Sequence, residues 1–214
     1  GSQYTQLIAR RVREIGVYCE LVPYDVNPHF IEKFNPNGII LSGGPDTVSK
    51  IDSARAPNVV FDLNIPILGI CYGQMAMAEA LGGKIVSWDH REFGRAFVDV
   101  ISDCELFHGV WDVGSKEQVW MSHGDRIDLP PPGFRTVATS DGAPFATIAD
   151  DERRFYGLMY HPEVVHTPHG AMLLENFTHR VCGCVGDWTM AGFREQEIDK
   201  VHESYAEKML VLTN

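Results

Sequence analysis

A glycine-flanked cysteine at the end of a strand-like run constrains this chain more than any other feature. Residues 66–70 are nearly all apolar, which is typical of a buried strand, and residues 74–81 are mainly helix formers. Between them, residues 69–73 read Gly-Ile-Cys-Tyr-Gly, a strand–turn–helix pattern that holds a nucleophile on a sharp bend. The helix N-terminus favours a thiolate there. The pattern predicts a nucleophilic Cys71, against the alternative of a buried cysteine that acts only as a small hydrophobe.

A histidine and a glutamate separated by one proline follow another strand-like run. His161 and Glu163 stand at i and i+2, so their side chains project to the same side of an extended chain. A catalytic base must be held in one tautomer, and a carboxylate partner does this. We therefore expect His161 to exchange a proton with Cys71 while Glu163 orients His161. The alternative is a surface ion pair at a strand end.

A glycine pair marks a third candidate, directly after the strand-like run 38–41. Residues 42–45 read Ser-Gly-Gly-Pro, and glycines there let backbone N–H groups point into open space, where they can hold an oxyanion. The N–H of Tyr72, beside the nucleophile, would be a second donor. The alternative is a plain Gly-Pro turn.

Two other groups of residues suggest different sites. The spacing of His161, His166 and His169 allows a metal site, but no paired carboxylates or close cysteine support it, so no metal ligand is predicted. Cys182 and Cys184 are closer together than a redox CxxC pair. The phosphate-binding pattern GxxxxGK[ST] occurs nowhere in the chain, so ATP is not expected to bind here.

Periodicity in the rest of the chain predicts an α/β fold. Near-continuous apolar strands favour a mostly parallel sheet with helices on both faces, and closely spaced strands over 84–160 favour an antiparallel β insertion. Apolar positions at helical spacing are Tyr4, Ile8, Val12 and Ile15, and later Leu173, Leu174, Phe177 and Val181, with Thr167 and Pro168 as a helix start. Further strand-like runs are 59–61, 97–101, 118–121, 145–148 and 155–160.

The end of the chain is predicted to be a connector. Residues 183–188 have the composition of a boundary, which gives a domain over 1–184 and a linker helix over 185–214. The apolar face of that helix would consist of Ile198, Val201, Tyr205 and Met209.

Composition excludes some classes of function. The 214 residues carry 18 Lys and Arg against 29 Asp and Glu, a net charge of −11, so neither a nucleic-acid footprint nor a basic membrane-binding face is expected. Five cysteines, an odd number without a regular framework, indicate free thiols in a reducing compartment. With no signal-peptide pattern at the start, the expected location is the cytoplasm.

Four blocks resemble the class I glutamine amidotransferases in the family's order. They are 39–45, 66–83, 122–125 (Ser-His-Gly-Asp) and 157–167, and the resemblance extends over nearly the whole chain. Within that family, the stretches 1–20, 122–125, 161–167 and 175–188 are similar to the glutaminase part of GMP synthases.

The resemblance implies a site and a partner. Cys71 would be the nucleophile, His161 the base and acid, and Glu163 the orienting residue, with the oxyanion hole at Gly43, Gly44 and Tyr72. The residues lining the glutamine pocket would be Gln74, Ser122, His123, Gly124 and Asp125. No cofactor is implied for this part. ATP and Mg²⁺ would bind a separate ATP-pyrophosphatase (synthetase) domain, fused or not, that aminates xanthosine monophosphate to GMP, in an enzyme expected to be a homodimer.

The chain departs from the family pattern in two places. A short apolar strand usually precedes the block that begins at Gly1, and its loss would leave central backbone groups unpaired, so we expect a segment to be missing there. Met159 and Tyr160 replace the usual Gln-Phe before His161, which affects a substrate contact rather than the triad. The alternatives are the glutaminase of another amidotransferase, a γ-glutamyl or peptide hydrolase of the same fold, and an inactive regulatory binder.

Overall fold

A mixed sheet of nine strands runs through the part of the chain that the computed structural model describes, residues 3–44, 47–48, 53–190 and 208–213. In chain order the strands are β1 (Tyr18–Pro23), β2 (Gly38–Leu41), β3 (Ile67–Ile70), β4 (Lys84–Val100), β5 (Lys116–Leu129), β6 (Arg135–Thr139), β7 (Thr147–Asp150), β8 (Phe155–Leu158) and β9 (Lys208–Thr213). Across the sheet their order is β1-β9-β2-β3-β8-β7-β6-β4-β5.

The sheet has a parallel half and an antiparallel half. The parallel half consists of β1, β9, β2, β3 and β8, each of which is parallel to the next in this order. Strands β7, β6, β4 and β5 continue the sheet with antiparallel pairings. This confirms the predicted α/β architecture with an antiparallel insertion.

Helices cover both faces of the parallel half. They are α1 (Gln3–Glu14), α2 (Pro28–Phe34), α3 (Val59–Asp62), α4 (Tyr72–Ala80) and α5 (Gly170–Glu175), with a 3-10 turn at Glu105–Phe107 and a π-helical turn at Asn176–Val181. Met209 and Val211 of β9 belong to the same buried cluster as Ile8 of α1, whereas Leu210 belongs to the cluster of Ile31 in α2. Alternate residues of one strand thus reach opposite layers. None of the described helices is long and apolar enough to cross a membrane.

Residues 59–61, predicted as a strand, form helix α3 instead. One helical turn is closed by bonds from the N–H groups of Val60 and Phe61 to the carbonyls of Pro57 and Asn58. Only Val60 of this turn is buried, so a single amphipathic turn satisfies the core. Three apolar residues are too few to distinguish such a turn from a strand.

The predicted linker helix is wrong where the structure describes it. Residues 208–213 form β9, and Met209, assigned to the helix face, is fully buried in the sheet. The other three residues of that face lie outside the described residues. A Met-Leu-Val-Leu run suits a strand buried on both faces, and the position between β1 and β2 offers backbone partners on both sides. The central backbone groups that we expected to be unpaired are therefore paired with β9.

The predicted boundary near residue 188 also packs against the domain. Trp188 is buried, and its backbone N–H donates to the carbonyl of Gly16 at 2.8 Å. Its ring lies 6.1 Å from that of Tyr18. The described chain therefore remains attached to the first helix and strand up to this point.

Candidate active site

Cys71 stands on a strained bend between β3 and α4. Its φ of 52° and ψ of −109° are unusual for a residue with a side chain, and its N–H donates to the carbonyl of Leu158 at 2.7 Å. A methyl group on Gly69 would lie 2.7 Å from the backbone of Gln74, and one on Gly73 would overlap the carbonyl oxygen of Leu41. The two glycines of the motif are thus required by close backbone approach, and strain of this kind is concentrated at functional sites.

His161 and Glu163 form a buried pair beyond the end of β8. Nδ1 of His161 is 2.7 Å from Oε1 of Glu163. The two residues are only 2% and 1% exposed. With the carboxylate bound at Nδ1, the other ring nitrogen, Nε2, is buried and has no hydrogen-bond partner among the residues that the structure describes. This is the arrangement that a base needs if it is to accept a proton at Nε2.

Gly43 lies beside both Cys71 and His161. A methyl group on Gly43 would lie 3.0 Å from Cε1 of His161 and 3.6 Å from Cβ of Cys71. The thiol of Cys71 donates to the carbonyl of Ser122 at 3.4 Å.

The electrostatics of the pair suit proton exchange. Burial by itself lowers the pKa of His161, but the neighbouring Cys71 and Glu163 side chains outweigh it and raise that pKa above its ordinary value. An imidazolium is therefore stabilised at this position once the thiol has lost its proton.

Three residues for which the sequence predicts no role at the site contact His161 or Glu163: Thr167, Arg11 and Tyr4. The hydroxyl of Thr167 donates to the carbonyl of His161 at 2.7 Å and accepts from the N–H of Trp120 at 3.0 Å. Thr167 therefore anchors the loop, and the helix start that the sequence predicted at Thr167 lies two residues later, at His169, directly before α5. From α1, Arg11 Nε donates to the carbonyl of Glu163 at 3.1 Å, and the Tyr4 ring lies 4.6 Å from the His161 ring. For α1 the sequence predicts a helix from its apolar spacing, but neither of these two contacts.

The structure places two of the predicted oxyanion donors next to Cys71. A methyl group on Gly43 would meet both Cys71 and His161, and Gly44 follows Gly43 in the chain. Tyr72 is the first residue of α4, so its backbone lies at the positive end of that helix. The Tyr72 hydroxyl donates to the carbonyl of Ala54 at 2.7 Å, which fixes the start of α4.

The Ser122–Asp125 segment lies on β5, beside the nucleophile. Ser122 contributes its carbonyl to the Cys71 thiol. The carboxylate of Asp125 accepts from Ser87 at 2.9 Å and also from Thr47. Gly124, the fourth predicted pocket residue, stands between His123 and Asp125 and is partly exposed. A carbonyl that contacts Cys71 and a carboxylate three residues further along thus lie on the same strand.

The side chain of His123 is hydrogen-bonded to Glu92 and to the backbone of β5. Its Nε2 is 3.1 Å from Glu92 of β4, and its Nδ1 is 3.0 Å from the backbone oxygen of Asp125. His123 lowers the pKa of Glu92, more than burial raises it. The structure therefore gives His123 a role in joining β4 to β5. Its expected contact with substrate stays a prediction.

Gln74, predicted to line the pocket, lies in the core. Its side chain is fully buried against Gly157 of β8, and its amide nitrogen donates to the carbonyl of Phe145 at 2.9 Å. The cause is helical geometry, because Gln74 stands on the side of α4 that faces the sheet. Met159 and Tyr160 are also fully buried, and the Tyr160 hydroxyl bonds Thr147 at 3.0 Å.

The weaker candidate sites have separate partners. The His166 ring lies 4.5 Å from the Trp120 ring, tilted by 40°, and His169 accepts a hydrogen bond from Trp111 at 3.2 Å, whereas His161 pairs with Glu163. No cluster of three metal-ligating side chains occurs among the residues that the structure describes. Cys182 and Cys184 are both free thiols.

Comparisons with known proteins identify related sequences and folds. The family model described as glutamine amidotransferase class-I matches residues 1–181. GMP synthase [glutamine-hydrolyzing] of Rhizobium etli is 53% identical over 99% of this chain and 41% of its own length. The enzyme of the same name from Bradyrhizobium diazoefficiens is 57% identical over 94% of this chain and 36% of its own length. The chain thus spans about two fifths of the length of these curated relatives.

Two solved structures share the architecture. A Thermoplasma acidophilum protein, which is described as one of the subunits of a GMP synthase, superposes with a TM-score of 0.77 at 31% identity, over 93% of this chain and 94% of that one. A glutamine amidotransferase of Thermotoga maritima has a TM-score of 0.53 at 22% identity, over 87% and 86% of the two chains, and supports the fold alone.

Proposed function

Because the chain belongs to the class I glutamine amidotransferases, we propose that it hydrolyses glutamine to glutamate and ammonia through a thioester on Cys71. The observation that carries the proposal is the position of Cys71, on a strained bend beside the same glycine that contacts the buried His161. A thiol in the core of a purely structural domain requires neither the positive φ nor the adjacent imidazole–carboxylate pair.

The residues assign each proton transfer. The thiol gives its proton to Nε2 of His161 as the sulfur attacks the side-chain carbonyl carbon of glutamine. Backbone N–H groups at Gly43 or Gly44 and at Tyr72 would hold the oxyanion. Nε2 then protonates the amide nitrogen, so that the C–N bond breaks, ammonia leaves and a thioester remains. Water that gives a proton to Nε2 attacks the thioester and releases glutamate and the Cys71 thiol.

Asp125 is the proposed partner of the α-ammonium group of glutamine. Asp125 lies three residues beyond Ser122 on β5, roughly 10 Å along an extended strand. That distance suits an extended glutamine with its amide at Cys71 and its α-ammonium group near the carboxylate. The acidic group thus favours a free amino acid over an internal residue of a peptide, whose nitrogen is uncharged.

Acid-quenched turnover tests the proposed chemistry. With glutamine we expect glutamate and ammonia in equal amounts, and a glutamyl thioester on the peptide that contains Cys71, detected by mass spectrometry. Asparagine, one methylene shorter, is the matched control and should react at least about tenfold more slowly, because its carbonyl cannot reach the sulfur while the ammonium is bound.

Other outcomes of that experiment identify the alternatives. Faster cleavage of γ-glutamyl peptides than of glutamine would identify a hydrolase of the same fold. Absence of both the thioester and glutamate, with and without a partner, would identify a regulatory binder and contradict the proposal.

We further propose that the ammonia serves a synthetase domain that aminates xanthosine monophosphate to GMP. The names of the relatives in Rhizobium, Bradyrhizobium and Thermoplasma support this assignment. The synthetase would be either a separate chain, as in a GMP synthase that is made of subunits, or a further part of one chain, as the greater length of the Rhizobium and Bradyrhizobium relatives allows. ATP and Mg²⁺ would bind that partner, in a homodimeric assembly. Service to another amidotransferase is the second candidate.

A synthetase partner is expected to accelerate glutamine hydrolysis. Cys71, His161 and Glu163 are only 3%, 2% and 1% exposed, so the site must open for glutamine to enter. Addition of the separately produced synthetase domain of the Rhizobium etli relative, with xanthosine monophosphate, ATP and Mg²⁺, should raise the rate of glutamate release by roughly 5- to 100-fold. A coupled glutamate assay measures this.

Omission of the glutaminase chain provides a control for that experiment. Synthetase alone, with no glutaminase chain, should form GMP only from added ammonium salt. An unchanged rate of glutamate release with every component present would contradict coupling to this partner.

A further inference from the structure

A short chain of hydroxyl groups connects α1 to the candidate oxyanion loop. Ser42, between β2 and Gly43, is fully buried, and Thr5 of α1 is 1% exposed. The Ser42 hydroxyl donates to the carbonyl of Gly43 at 3.2 Å, and its oxygen is 3.0 Å from the Thr5 hydroxyl. The N–H of Ser42 donates to the carbonyl of Leu212 in β9 at 3.1 Å.

The direction of these bonds follows from the supply of protons. A serine hydroxyl has one hydrogen, and here Ser42 gives it to Gly43. When Ser42 donates to Gly43, the bond between the two hydroxyls has Thr5 as its donor and Ser42 as its acceptor. Two hydroxyls in series strengthen each other, and both are away from water. The carbonyl of Gly43 is consequently held in one direction by a buried group.

The fixed carbonyl also directs the next N–H group. In a planar trans peptide, the C=O of Gly43 and the N–H of Gly44 point in opposite directions. The carbonyl points toward the buried hydroxyl of Ser42, so the N–H of Gly44 points away from it. Gly43 itself contacts Cys71 and His161, which places this peptide at the reacting centre. Two consecutive glycines rotate easily, so the peptide needs such an anchor.

We propose that Ser42 and Thr5 are positioning residues for the oxyanion hole. Ser42 fixes the peptide between Gly43 and Gly44, and Thr5 fixes the Ser42 hydroxyl. Neither residue touches substrate. This inference rests on the proposed glutaminase function, because only a tetrahedral intermediate needs the donor.

Substitutions that remove one hydroxyl at a time test the proposal. Ser42→Ala should lower kcat for glutamine roughly 10- to 100-fold, because a misdirected donor approaches the loss of one oxyanion bond. Thr5→Val, which keeps the shape, should lower kcat by about 3- to 10-fold. Thr5→Ser, which keeps the hydroxyl, should restore the rate. KM should change by less than about twofold in each.

A buried threonine elsewhere provides a matched control. Thr178 is fully buried, and its hydroxyl donates to the carbonyl of Leu174 at 3.0 Å, within the helical turn after α5. Thr178→Val removes the same atoms as Thr5→Val and should leave kcat unchanged. Thermal unfolding of all variants shows which of them are folded at the assay temperature.

Alkylation of Cys71 by iodoacetamide separates positioning from loss of structure. This displacement needs the thiolate and its imidazole partner but no oxyanion hole, so its rate and pH profile should match wild type in Ser42→Ala and in Thr5→Val. Alkylation that falls in proportion to kcat, or a kcat within twofold of wild type in Ser42→Ala, would overturn the inference. Wild type that is alkylated yet never hydrolyses glutamine would overturn the proposed function and this inference with it.

Discussion

Replacing Cys71 by alanine is expected to lower glutamine turnover by at least about 10⁴-fold. The thioester cannot form without the sulfur, and His161 would have no nucleophile to deprotonate. Activation of water by the remaining His161–Glu163 pair would account for the residual rate. Glutamate release measured over hours gives this rate, and mass spectrometry after acid quenching should show no glutamyl adduct.

The structure provides controls for the Cys71 variant. Cys104, whose pKa is raised to about 12 mainly by burial, lies in a separate cavity of about 860 Å³, so Cys104→Ala should retain wild-type turnover. Cys71→Ala keeps the side chain at a positive φ, so the thermal midpoint should change little. The pKa of His161, followed by NMR, should fall because one of the two groups that raise it is gone. Normal turnover in Cys71→Ala would refute the assignment of the nucleophile.

The residues that meet at the candidate site could be selected from the sequence because their signals are local. The bend at Cys71 is encoded within five residues, and His161 and Glu163 are two residues apart, in the turn that follows β8. Helix α1 and strands β2 and β3 have unambiguous periodicity or uninterrupted apolar runs. In each case the short-range pattern and the tertiary structure favour the same conformation.

Residues whose roles depend on contacts between distant segments could not be predicted. Thr5 and Ser42 are 37 positions apart, and nothing in either residue type predicts their bond. Gln74 has the residue type of a substrate ligand, but the rotation of α4 directs it into the core. For β9, the helical spacing of four apolar residues competed with a strand-like run, and the unfilled position between β1 and β2 was decisive. The position between β1 and β2 is a property of the folded sheet, so the sequence of residues 208–213 alone does not predict it.

Deletion of residues 208–213 is expected to abolish cooperative folding. Six residues of β9 pair with β1 and four pair with β2, so the deletion leaves backbone groups on both neighbours without partners. Met209, Leu210, Val211 and Leu212 are almost completely buried. At about 1.5–3 kcal/mol for each buried apolar side chain, their loss approaches the entire stability of a typical domain, about 5–15 kcal/mol. Circular dichroism during heating should show no cooperative transition.

Point substitutions in β9 test whether the packing of this strand, rather than the length of the chain, is responsible for cooperative folding. Leu210→Asp places a carboxylate in the fully buried cluster with Ile31 and should destabilise the fold nearly as much as the deletion. Thr213→Asp, at the partly exposed end of the strand, is the matched control and should change stability by less than about 1 kcal/mol. Because the Leu212 carbonyl also holds the N–H of Ser42, glutamine turnover should fall together with the thermal midpoint across the series. A Leu210→Asp protein with a wild-type midpoint would show that β9 does not occupy the centre of the sheet in solution.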